Sequence, residues 1–178
     1  TLKNIDWTMG KGHLSTTGLM LHFLTDDSVT RATLRDHDLN MTLSSPMSLD
    51  SVMAHATLTA AAIDSVISSH DINVSMLQHA LPQFGLDLTA GQNNIISNYL
   101  SSTGTGFSSL GMQASNDSLI NLNAKVLRFN SGSTTADTIA TTITQQGDTL
   151  DYRIHMGNRP GTLDQWATVT ARGRASGN

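Results

Sequence analysis

Along Ile120-Asn-Leu122-Asn-Ala124-Lys-Val126 every even position is apolar and every odd one polar, the period of a strand whose successive side chains point to opposite faces. Leu150-Asp-Tyr152-Arg-Ile154-His-Met156 repeats the pattern. Between them, Gln145-Gln-Gly147-Asp148 carries a Gly-Asp pair suited to a two-residue hairpin turn, which makes Ile139, Thr141 and Ile143 the partner strand. A further strand-like run, Trp166 to Arg172, lies near the end of the chain.

Upstream, Leu19, Leu21 and Phe23 share a face, Asp26-Asp27-Ser28 reads as a turn, and Val29 to Leu34 starts a strand returning toward Leu39, Met41 and Leu43. Asp36-His37-Asp38 interrupts this pair as a bulge or turn. Val52, Ala54, Ala56 and Leu58 alternate again, and short strands are expected around Ile63 to Ile67 and Ile72 to Val74, so most of the first 75 residues read as a meander. Two short helices break it. Ser75 can cap a helix near 75–82 that Pro82 ends. Asn93 or Asn94 can cap another near 94–101, with Ile95, Ile96, Tyr99 and Leu100 on one stripe. Two turns need packing to persist, so both are expected to cover an edge or open end of the sheet. Thr103 to Gly106 reads as a turn leading into a strand from Phe107 to Met112.

Composition agrees with a β fold. All 14 acidic residues are Asp, Lys occurs only at positions 3, 11 and 125, and there are 23 Thr and 20 Ser. That excludes a helix bundle, whose exposed faces need Glu and Lys. The length of 178 residues suits one β-rich segment, with no linker to divide it. A net charge of −4 and 13% charged residues provide no basic stripe for phosphates, so nucleic acid is not an expected partner. No run of about 18 apolar residues suggests a membrane-spanning helix. The absence of Cys removes disulfides and thiolate chemistry and leaves the redox compartment open. The chain opens at Thr1 without an initiator Met, and both ends read as cut from something longer.

Catalytic options are thin. The seven His residues include no pair at helical ligand spacing, and Asp36-His37-Asp38 is the one compact charged cluster, better read as a solvated turn than as a metal site. Gly104-Thr-Gly106-Phe-Ser108-Ser109-Leu-Gly111 matches neither a phosphate loop nor a nucleophile elbow. No metal or cofactor is expected, and the chain reads as non-enzymatic. Its informative feature is the apolar face. In a sandwich that face meets a second sheet; in a curled trough it takes acyl chains. With aromatics at 4%, the lining is mostly Leu, Ile, Val, Met and Ala, a smooth aliphatic surface that favours the trough.

The stretch Leu86-Asp-Leu-Thr-Ala-Gly91-Gln-Asn-Asn-Ile-Ile-Ser-Asn98-Tyr-Leu100, running into Gly106-Phe-Ser-Ser-Leu110, resembles the TamB-like proteins of Bacteroidota, within the AsmA-like superfamily. Asp137-Thr-Ile139 and Tyr152-Arg-Ile-His-Met-Gly157-Asn158-Arg159-Pro160 are similar to the strands that follow in that family. The likeness is clearest from residue 75 to 172.

This resemblance implies a long envelope protein, anchored in the inner membrane by an N-terminal helix outside this sequence, whose β-rich body crosses the periplasm. It implies a β-taco-like curled sheet with an apolar groove that carries phospholipid, and an older reading of the family adds assembly of outer-membrane proteins with an outer-membrane barrel partner. The residues expected to line the groove and touch phospholipid acyl chains are Ile120, Leu122, Ala124, Val126, Ile139, Ile143, Leu150, Tyr152, Ile154 and Met156. Two other readings of the same alternation are a structural or adhesive β-module with a sealed core and a chaperone surface for unfolded outer-membrane strands.

Overall fold

The computed structural model describes residues 2–9, 12–69, 73–158 and 168–176. The chain is mainly β, an antiparallel meander that does not close into a barrel. Four strands come first: β1 (Leu2–Met9), β2 (Gly12–Thr25), β3 (Thr30–Asp36) and β4 (Leu39–Ser45). Two helices follow, α1 (Leu49–Ser69) and α2 (Val74–Ala80), and then β5 (Gly85–Ala90), α3 (Ile95–Ser102) and the two-residue β6 (Thr105–Gly106). The rest is β7 (Ser109–Asn116), β8 (Ile120–Ser131), β9 (Thr134–Gln146), β10 (Thr149–Gly157) and β11 (Thr168–Ser176). The strands pair in the order β1-β2-β3-β4-β5-β7-β8-β9-β10-β11, with β6 off this path on β8. Ten strands at ~4.8 Å spacing make a sheet ~45 Å across.

The hairpin around Gly147 forms as its turn chemistry requires, with Gln146 opposite Thr149 and Gly147 at φ 58, a left-handed conformation that glycine adopts without a Cβ clash. His37-Asp38 is a two-residue turn joining β3 to β4, with His37 at φ 51. Trp166 and Ile72, assigned to strands from the sequence, and Arg159 and Pro160, assigned to the family-like run, lie outside the described residues.

One region corrects the sequence reading. Residues 49–69, expected to supply strands through Val52, Ala54, Ala56, Leu58 and Ile63 to Ile67, are a single 21-residue helix, so the described residues hold three helices and the meander pauses after β4. The alternation there rests on Ala, the strongest helix former, and Ala fits a period of two by chance in so small-residue a run. The same residues also hold a 3.6-residue stripe: Ser51, Val52, His55, Thr59, Ala62 and Val66 are the less exposed positions, and this is the side that meets α2. The carbonyl of Ala80 accepts hydrogen bonds from His55 Nδ1 at 3.1 Å and Thr59 Oγ1 at 3.0 Å, which fixes the α1–α2 hairpin. By length and composition alone α1 is apolar enough to cross a membrane, with a mean hydropathy of 1.2 over Leu49–Ser68, contrary to the expectation that no run in the chain suggests such a helix.

The two short helices stand where the cap signals place them, with one shift. The cap of α2 is Asn73, whose side chain accepts from the Met76 amide at 2.8 Å, rather than Ser75. Asn94 caps α3 in a reciprocal box with Ser97. α2 lies across the ends of β7–β9, where Gln78 Nε2 donates to the Ser118 carbonyl and Gln145 Nε2 donates to Gln78 Oε1 at 2.9 Å.

Candidate functional site

In an antiparallel sheet, residues directly opposite one another project from the same face. The register therefore shows which side chains form a surface. Leu21, Leu34, Met41, Leu88, Met112, Ala124, Thr141, Ile154 and Ala171 form one row from β2 to β11. Phe23, Ala32, Leu43, Leu86, Ala114, Leu122, Ile143, Tyr152 and Gly173 form the next. A third runs through Ala90, Leu110, Val126, Ile139, Met156 and Val169. The ten residues named from the sequence thus share one side of three neighbouring strands, β8, β9 and β10, and Ile120 and Leu150 flank Gln145 at its margin. Sequence reasoning left out the contributions of β5 and β7, although Leu86, Leu88 and Met112 carry the same alternation.

The helices cover this face unevenly. α3 packs on β2 and over the β3–β4 turn end of the sheet, where Leu39, Leu88, Ala90 and Phe107 are buried and Ile95, Ile96, Leu100, Leu110 and Val126 pack around them. Val126 is thus packed against the core beneath α3 and is not open lining. Toward both sides the face is bare: Leu21 is 53% exposed, Phe23 47%, Ile154 43% and Val169 54%. Tyr152 lies flat over Gly173, where any Cβ would fall on its ring. Among the described residues no second sheet covers these side chains.

Carboxylates hold α3 in place. Asp36, buried, accepts from Thr16 Oγ1 at 2.6 Å and from the Ile95 amide, in the first turn of α3, at 2.6 Å, while His37 Nδ1 stands 2.7 Å from the same carboxylate. Asp38 accepts from Asn94 Nδ2 at 2.6 Å and from the Asn93 amide at 3.0 Å. Desolvation raises the Asp38 pKa, but the hydrogen bonds from Asn94, Asn93 and Gly91 together outweigh it and hold the carboxyl below its ordinary value. Gly91 passes so close that a Cβ there would overlap the Asp38 carboxylate. From β2, the Ser15 carbonyl accepts from Asn98 Nδ2 at 3.0 Å, and the His13 amide donates to Ser102 Oγ at 2.7 Å. The Asp36-His37-Asp38 cluster is therefore a scaffold for the α3 N-terminus; among the described residues no group of three His, Cys, Asp or Glu could hold a metal.

The reverse face is mostly polar, although the exposed Met20 and Leu24 of β2 lie on it. A depression of about 450 Å³ there is lined mainly by Asp87, Gln113, Asn121, Asn123, Thr142 and Thr144, with Gln113 Nε2 donating to Asp87 Oδ1 at 2.9 Å. The class these features define is an open antiparallel β-meander with one continuous, partly bare aliphatic face. Compared with protein-family models, curated proteins and solved structures, the chain finds no match.

Proposed function

We propose that this chain is a segment of an envelope protein that carries phospholipid between the inner and outer membranes along the apolar face of its sheet. The full-length parent is then anchored to the inner membrane and its β body lies in the periplasm, as the TamB-like resemblance implies. The observation that supports this reading most directly is the continuity of the apolar rows from β2 to β11 without a covering sheet. Water contact with aliphatic surface costs ~25 cal/mol per Å², and exposed patches beyond a few hundred Å² mark sites that bind something apolar. Acyl chains fit a lining dominated by Leu, Ile, Met and Ala, in which Thr141 and Tyr152 carry the hydroxyls, while headgroups remain in water. The work is transfer rather than chemistry, so no cofactor is needed.

Photo-crosslinking in cells, from position 122 or 154 of the full-length parent with 123 or 153 as reverse-face controls, tests this. Phospholipid adducts confined to 122 and 154 support a lipid-conducting face. Absence of lipid at both parities refutes it and favours a sealed structural module. The sheet edges support a second reading, assembly of outer-membrane proteins by strand addition at β1 or β11, each of which pairs on one side only among the described residues. It predicts adducts with protein, including the barrel partner, at the edge strands.

A further inference from the structure

Arg153 on β10 and Arg172 on β11 are directly opposite in the register, so both project from the polar face of the sheet side by side. Like charges in that position repel. One pair along, the conflict is resolved: Arg174 Nε donates to Asp151 Oδ1 at 2.9 Å. Arg153 and Arg172 are exposed, and among the described residues neither guanidinium has an ion-pair partner. Lys125 joins the same face in the adjacent row, opposite Ala140 and through it in line with His155. Five of the chain's ten Lys and Arg residues lie on β8–β11, and four of them, Lys125, Arg153, Arg172 and Arg174, share the polar face with Asp151, although the chain carries −4 overall. The composition hid this patch because its cations are scattered over 50 residues of sequence and meet only through strand pairing.

Two arginines at directly opposed cross-strand positions are matched by oxyanions with several equivalent acceptors, since Arg fits phosphate oxygens with its planar fork of donors. A solvent-exposed array of cations on an open sheet face suits a surface of many phosphates better than a single small anion. We propose that the polar face of β10–β11 docks onto an anionic phospholipid bilayer surface, with Arg153 and Arg172 as the principal contacts and Lys125 supporting them. Charge complementarity orients the whole chain: the patch is drawn to a surface that repels the rest of the molecule. The apolar face plays no part in this contact, so docking and acyl-chain carriage are independent.

Cosedimentation of the protein with vesicles of phosphatidylcholine alone, or phosphatidylcholine mixed with phosphatidylglycerol, tests the proposal. Binding is expected only to the mixed vesicles, weakening as salt rises. Arg153→Gln with Arg172→Gln is expected to reduce it roughly 20- to 30-fold, at about one kilocalorie per cation near an anionic surface. Arg153→Lys with Arg172→Lys retains most binding, and Arg31→Gln with Arg35→Gln, on the polar face of β3, leaves it unchanged. Both changed positions are exposed, and an unaltered circular dichroism spectrum establishes that the variants fold. Equal binding to both vesicle types, or undiminished binding by the double Gln variant, overturns the proposal. So does a pair of arginines that binds inorganic phosphate in solution but no vesicle. Leu122→Asp, which tests the acyl-carrying face, is expected to leave vesicle docking intact.

Discussion

Asn94 is the residue through which the position of α3 over the apolar face is most exposed to test. It is 1% accessible, its Oδ1 accepts from the Ile96 and Ser97 amides at 3.0 Å each, and its Nδ2 donates to Asp38 Oδ1 at 2.6 Å and the Gly91 carbonyl at 3.0 Å. Asn94→Ala removes an N-cap, which costs about 1 kcal/mol, and leaves the amide of buried Ser97 without its acceptor, for about 1–3 kcal/mol more. Asp38 is exposed, so water replaces the lost Nδ2 donor there and adds little. The expected total is about 2–4 kcal/mol. With a urea slope of about 2–3 kcal/mol per molar for a chain of this size, the unfolding midpoint falls by ~1–1.5 M. Amide exchange in α3 should accelerate with it. Asn94→Asp separates the two roles: it keeps the cap acceptor but sets an oxygen against the Asp38 carboxylate. Its deficit is expected to shrink on acidification below pH ~4, as one of the two carboxyls takes a proton. An Asn94→Ala variant that loses under ~1 kcal/mol, or an Asp variant whose deficit ignores pH, refutes the picture of α3 held by its N-terminus.

Other perturbations address the remaining elements. Leu122→Asp places a charge in the middle of the apolar rows and should reduce binding of a fluorescent fatty acid at least tenfold, whereas Asn123→Asp on the reverse face leaves it unchanged, as read by titration. Asp38 has a folded pKa below its unfolded value of 3.8, so the stability it contributes is present above that value and is lost as pH falls through the folded pKa. The stability difference between wild type and Asp38→Asn, followed by urea unfolding, should therefore vanish only under strongly acid conditions. Gly91→Ala drives a methyl group into the Asp38 carboxylate and should cost about 1–3 kcal/mol in the same assay. On α1, Ala62→Glu buries a charge against α2 and should melt the hairpin in amide exchange, whereas Ile67→Gln, at a position 66% exposed, should change stability by under ~0.5 kcal/mol.

The sequence by itself determined the strands from Ile120 onward, because a strict period of two has no helical reading, and the turn at Gly147-Asp148, because only a few residues accept its backbone. It also determined which side of β8–β10 is apolar, since a register slip of one residue would turn every Leu and Ile to water. The cap of α3 was legible in Asn94, whereas that of α2 was placed at Ser75, two residues past the actual cap, Asn73. Tertiary structure alone decided the rest. The Ala-rich stretch from 49 to 69 fits both periods, and it is helical where α2 presents the Ala80 carbonyl to His55 and Thr59. Asp36 and Asp38 looked like a solvated turn because their partners, Thr16, Asn94 and Ile95, are 20 to 59 residues away in sequence. The pairing of Arg153 with Arg172 has the same origin. Alternation specifies which side of a strand a residue takes, but which residues meet across strands is set by register, and register is a property of the folded sheet.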